Sequence, residues 1–204
     1  MSGYGVKRGG DGKKLPIVIN KDNAISKGRY ISNIEYRKTD KAEFITIEVI
    51  DKAGMFARKS YFPPKIGMGF VKTQEEFDKE QQKFNRVMKN LTNVFLGKEY
   101  ETGEVASFEA FCNKIISDLG KSYYNNELRV KLVYDKKNWP TLPNYPTIFE
   151  DPTQVSDADS KMVIGQYDKV EPTVVEMDED KKPDEKVDDL PDMKKKDDLS
   201  DLPF

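Results

Sequence analysis

The sequence predicts a mainly β fold: a small antiparallel barrel with a helical insertion, followed by a disordered acidic tail. Three observations predict it. Residues 29–62 hold three runs rich in β-branched and aromatic residues, separated by short polar turns. The hydrophobic period then becomes helical over residues 73–119, and strand character returns at residue 127. The charge also divides: residues 1–149 hold 26 Lys/Arg against 18 Asp/Glu, a net +8, whereas residues 150–204 hold 8 Lys against 18 Asp/Glu, a net −10.

Each element follows in order. Residues 1–26 read as a flexible basic arm, because the first fourteen carry five glycines and four basic residues and little that can be buried. Arg29–Lys38 is the first strand, and Glu43–Asp51 the second, with Ile45, Ile47 and Val49 on one face and Thr46 and Glu48 on the other. Met55–Phe62 is the third, stopped by Pro63-Pro64. Thr73–Phe95 reads as a helix, opened by a capping box of Thr73 and Glu76. Ser107–Leu119 is a second helix, capped by Ser107 and ended by Gly120. Cys112 lies on its apolar stripe as a packing residue. Glu127–Tyr134 is the fourth strand, Asp135–Glu150 a Pro- and aromatic-rich loop, and Lys161–Tyr167 a weaker strand that would close the sheet. Four or five strands with two helices after the third suit a small, partly closed barrel of the OB type, with residues 27–170 as the folded body and 73–120 as its helical segment.

Composition excludes several chemistries. The 204 residues are 37% apolar and 34% charged, so part of the chain is expected to lie outside any core. There is no histidine, so neither Ser-His catalysis nor a His-bound metal is available. Cys112 is the only cysteine, which excludes an internal disulfide and a Cys-based zinc site. No apolar run approaches a membrane span, and the polar N-terminus lacks a secretory apolar region. These readings lead to the expectation of a soluble protein in a reducing cytoplasm. Gly12-Lys13-Lys14 lacks the spacing of a phosphate-binding loop, and Asp157/Asp159 lacks the turn glycine of a calcium loop. Glu35, Glu43 and Glu48 are scattered, and Glu43 and Glu48 on the second strand are more simply outward-facing than metal-binding. The expectation is a protein without catalytic activity, metal or cofactor.

The basic, aromatic body suggests a ligand. Lys and Arg neutralise phosphates, and aromatic rings stack on unpaired bases of any identity. The first strand offers Arg29, Tyr30, Tyr36, Arg37 and Lys38. The third offers Phe56, Arg58, Lys59, Tyr61 and Phe62, with Lys65 just after. The fourth offers Arg129, Lys131 and Tyr134, followed by Lys136, Lys137 and Trp139. If Leu128, Val130 and Leu132 enter the core, alternation turns Arg129 and Lys131 outward. Single-stranded DNA is the expected partner; RNA, or a protein bound by an adaptor, are the alternatives.

Residues 171–204 carry 13 acids and 6 lysines, and a segment so charged cannot bury enough apolar area to offset its ordering entropy. It nevertheless ends Asp197-Asp198-Leu199-Ser200-Asp201-Leu202-Pro203-Phe204. A partner can bury the Phe204 ring and hold its carboxylate, while Pro203 stiffens the approach and the three aspartates steer it to a basic rim. This end resembles that of single-stranded DNA-binding proteins of bacteria and their phages. Those proteins join an OB-type body to an acidic tail, which in bacterial members typically ends Asp-Asp-Asp-Ile-Pro-Phe. The match covers about eight residues; the body matches in plan only. The charged linker and the large helical segment differ from bacterial members and lean towards the phage type. The resemblance implies recruitment of replication and recombination proteins (a polymerase, helicase or primase) by residues 197–204. It also implies a tail able to occupy the protein's own groove as an anionic mimic of DNA.

Overall fold

The computed structural model describes residues 14–144 and 147–173. Nine elements follow in chain order: β1 (Ile25–Lys38), β2 (Glu43–Asp51), β3 (Phe56–Tyr61), α1 (Gln74–Leu96), α2 (Phe108–Leu119), β4 (Leu128–Lys131), β5 (Val133–Tyr134), β6 (Pro140–Thr141) and β7 (Phe149–Glu150). Five strands form one antiparallel sheet in the order β3-β2-β1-β4-β7, and β5 and β6 form a separate pair. Among the described residues, no helix is long and apolar enough to cross a membrane.

The β1–β2–β3 meander follows its alternation. Ile45, Ile47 and Val49 of β2 point into the core, opposite Tyr61, Lys59 and Ala57 of β3. In β1, Ile31 and Ile34 are three residues apart and would face opposite ways in a regular strand. A bulge between Ile31 and Asn33 lets both enter the core, opposite Val49 and Ile47. A second irregularity, between Ser26 and Arg29 on the β4 side, contains Gly28 at φ 78°, where a side chain would be strained.

Both helices begin as their caps dictate. The Thr73 hydroxyl accepts from Glu76 N (3.2 Å), and the Glu76 carboxylate accepts from Thr73 N (3.0 Å) and Lys72 N (2.7 Å). Ser107 accepts from Ala110 N at 3.1 Å. Phe84, Met88 and Leu91 of α1 and Ile115 and Leu119 of α2 complete the core beneath the sheet. Cys112 is buried there, and burial pushes its thiol pKa up to about 12.

The structure departs from the sequence expectations in four places. The sheet is not closed into a barrel. Pro140 and Pro143 remove backbone donors around the two-residue β6, so its polar link to β3 is a side-chain bond, Thr141 Oγ1 to Arg58 O at 2.9 Å, not a ladder. The fourth strand divides after Lys131, where Leu132 N turns to Ala24 O (2.8 Å) and Val133–Tyr134 joins the other pair. Lys161–Tyr167 is not a strand; the last strand of the sheet is Phe149–Glu150, within the segment expected to be a loop. The packed body also starts before residue 27: Ile17, Ile19 and Ala24 are buried, and Leu15 and Ile17 bond the Phe56 backbone.

One polar residue anchors β7 to the helix. The Asn90 side-chain oxygen accepts from Ile148 N (2.8 Å) and Phe149 N (2.9 Å), and its amide donates to Phe149 O (3.0 Å). Asn90→Leu strands these groups beside two fully buried side chains, and is expected to cost about 1–3 kcal/mol. Urea unfolding checks this.

Candidate functional site

Alternation in β2 and β3 leaves Phe44, Thr46, Glu48 and Ile50 outside, opposite Ser60, Arg58 and Phe56. Phe44 also stands opposite Arg37 of β1. Its ring meets that of Phe62, just beyond β3, with centroids 5.1 Å apart. Here Pro63-Pro64 ends the strand, and the chain loops to Val71 before α1. Phe70 in that loop is 91% exposed and Phe62 55%. Gly67 and Gly69 take positive φ and allow the loop's tight reversal, closed by Gly67 N to Val71 O at 2.7 Å.

A groove of about 700 Å³ lies between the end of β3, this loop, the β1–β2 turn and α1. Lys41, Lys59, Lys65 and Lys83 line it, with Phe62, Phe70 and Met68 as apolar surface. Its two acids are already engaged: Glu80 with Lys83 (2.6 Å), and Glu43 with the Tyr36 hydroxyl (3.0 Å). Lys59 is half-buried; burial lowers its pKa, and nearby Asp135 opposes that shift.

A basic turn adjoins the same strand. In the β5–β6 connection, the Asp135 carboxylate accepts from Lys137 N (2.8 Å) and Trp139 N (2.9 Å), and Asn138 takes φ 61°. This holds Lys136, Lys137 and Trp139 exposed, while Thr141 ties the hairpin to Arg58 O.

Among the residues the sequence nominated, Arg37, Lys38, Arg58, Lys65, Lys136, Lys137 and Trp139 are exposed. Arg37 pairs with Glu35 (2.8 Å) and Lys38 with Glu109 (3.4 Å). Phe56 and Tyr30 are half-buried, and the Tyr30 hydroxyl meets Glu127 at 3.3 Å. Tyr36 packs on Phe108, and burial, then its bond to Glu43, pushes its pKa up to about 12. The Tyr134 hydroxyl accepts from Ile19 N (2.9 Å) and donates to Ile19 O (3.2 Å), so it braces the N-terminal segment.

Four nominated residues are turned inward. Arg29 shares the face of Ile31, two residues away, and donates to the carbonyls of Asn23, Ala24 (3.3 Å) and Val130 (2.7 Å). Burial lowers its pKa to about 10, with Asp51 opposing. Tyr61 is in the core, its hydroxyl donating to Pro143 O at 3.3 Å. Arg129 and Lys131 do not face outward: all four β4 residues are buried, because residues 151–170 cover the second face of the strand. Arg129 pairs with Glu150 (2.7 Å) and Asp157, and Lys131 with Asp168 (2.5 Å). Asp197, Asp198, Leu199, Asp201, Leu202, Pro203 and Phe204 lie outside the described residues.

Sequence reasoning missed Lys41, Phe44, Phe70 and Lys83 as members of this surface. Phe44 was visible as the outward neighbour of Ile45. Phe70 sits in an irregular loop with no period to reveal it. No protein-family model matches the chain, and no curated protein matches it.

Proposed function

We propose that the chain binds single-stranded DNA without sequence preference, as a coating protein and not as an enzyme. The observation that carries this reading is the groove where exposed Phe62 and Phe70 stand among four lysines. Such a surface supplies the two forces that hold an unpaired strand, stacking on any base and neutralisation of phosphate. A duplex hides its base faces and gains only the second.

The scaffold supports the same reading. A β1–β2–β3 meander, a helical segment, then β4 returning beside β1 is the connectivity of an OB-type fold, here left open. In that fold the β2–β3 face and its neighbouring turns take oligonucleotides. On this reading Phe44 and Arg58 on the β2–β3 face, Lys41 in the β1–β2 turn and Trp139 in the β5–β6 turn are candidates for strand contact. The acidic end, residues 197–204, is proposed to recruit replication and recombination proteins.

Fluorescence anisotropy of labelled oligo(dT) tests the proposal. The protein is expected to prefer the single strand to a duplex. Affinity should fall with salt, with a log–log slope of about −2 to −3 for three or four phosphate contacts. Failure to bind oligo(dT) in 50 mM salt would overturn it, and preference for oligo(U) in competition would replace DNA with RNA.

A further inference from the structure

We infer that α1 carries a second row of phosphate contacts, Lys79, Lys83, Arg86 and Lys89, which extends the groove and receives the flanking nucleotides of a bound strand. This rests on reading the groove as a single-strand site.

The row follows from helix geometry. Steps of three and four residues make these side chains successive neighbours on one surface. Phe84, Met88 and Leu91 occupy the buried face. All four basic residues are exposed. Ten residues separate Lys79 from Lys89, about 15 Å at the helical rise. Lys83 is shared with the groove, where it lies alongside Phe62 and Phe70, so row and groove are continuous.

The charge along the helix is partitioned. Its acids, Glu75, Glu76, Asp78 and Glu80, all lie in the first two turns. There Glu76 completes the cap, Glu75 pairs with Lys79 (2.6 Å) and Glu80 with Lys83 (2.6 Å). Residues 81–98 then contain Lys83, Arg86, Lys89 and Lys98 and no acid at all. Among the described residues, Arg86 and Lys89 have no ion-pair partner. A helix exposed only to solvent gains from alternating signs, since i,i+4 pairs support it. A one-sign stretch leading from an aromatic groove fits a polyanion instead. The Arg86 guanidinium adds a planar fork suited to phosphate oxygens.

The test compares the full chain with Arg86→Gln/Lys89→Gln on oligo(dT) of six and of twenty nucleotides, at 50 and 200 mM salt. Each single-strand phosphate contact contributes about 0.7 to the salt slope. On the long oligonucleotide, the double variant is expected to lose about 1.4 from the slope. The fourfold rise in salt then costs the unaltered protein about sevenfold more affinity than the variant. On the short one the two proteins should match. Equal slopes on both lengths, or an equal loss on both, would overturn the helix row while leaving the groove in place. No binding by the unaltered protein at either length would overturn the groove reading itself. Matching thermal unfolding curves establish that the variant is folded.

Discussion

Phe70→Ala is expected to weaken oligo(dT) binding by about 5- to 150-fold, which is the loss of one stacked base at about 1–3 kcal/mol. Phe62→Ala and Phe70→Ala together should cost at least about 30-fold. The effect should fall almost wholly on binding. Phe70 is 91% exposed, so its removal takes little apolar area from the core. Phe62, 55% exposed, gives up its ring contact with Phe44, worth about 0.5–1.5 kcal/mol beyond the area it buries. The contrasting variant is Tyr61→Phe. Tyr61 is adjacent in sequence and equally aromatic, but buried, and its hydroxyl donates to Pro143 O. That variant should lose about 1 kcal/mol of stability and retain its affinity. Anisotropy titrations at constant salt, paired with urea melts, separate the two outcomes. Unchanged affinity in a folded Phe70→Ala protein would remove stacking from the account.

The elements with the clearest local signals were legible in the sequence. The alternation of Ile45, Ile47 and Val49, the Thr73–Glu76 box and the Ser107 cap each rest on interactions within a few residues, and each is present. What was hidden depends on distant segments. Alternation along β4 orients Arg129 and Lys131 away from Leu128 and Val130. It does not reveal that an irregular stretch twenty to forty residues later covers that second face. The charge division misled in the same way. Glu150, Asp157 and Asp168 count towards the acidic half, yet they neutralise Arg129 and Lys131 of the basic half. The groove cations that were not nominated, Lys41 and Lys83, lie in a turn and on α1, where no strand period marks them. The segment expected to close the sheet, Lys161–Tyr167, is not a strand, and the prolines at 140 and 143 cannot donate to a ladder.

Arg129→Met is expected to destabilise the fold by about 3–5 kcal/mol, a large share of the roughly 5–15 kcal/mol that holds a domain together. The loss comes chiefly from what stays behind. Glu150 is as buried as its partner, and without the guanidinium its charge is opposed only by bonds from Ser160 Oγ (2.7 Å) and Lys161 N (3.0 Å). The Val155 carbonyl also loses its donor, freeing the segment that covers β4. Removing both charges tests this mechanism. Arg129→Met with Glu150→Met should cost much less than the two single changes added together, since an apolar pair of similar volume often replaces a buried ion pair at little loss. Acid stability should shift as well. Hydrogen bonds from Lys27, then Arg129, hold the Asp157 carboxyl below its ordinary value. A depressed carboxylate stabilises the fold above its unfolded pKa of about 3.9, and that support is lost as the pH falls through the lower folded value. With Arg129 gone, the Asp157 pKa rises towards the unfolded value, so acid unfolding should begin at a higher pH. Urea midpoints at pH 7 and an acid titration followed by circular dichroism read both effects. A cost under about 1 kcal/mol would mean that the cluster is not what fixes residues 151–170 over the sheet.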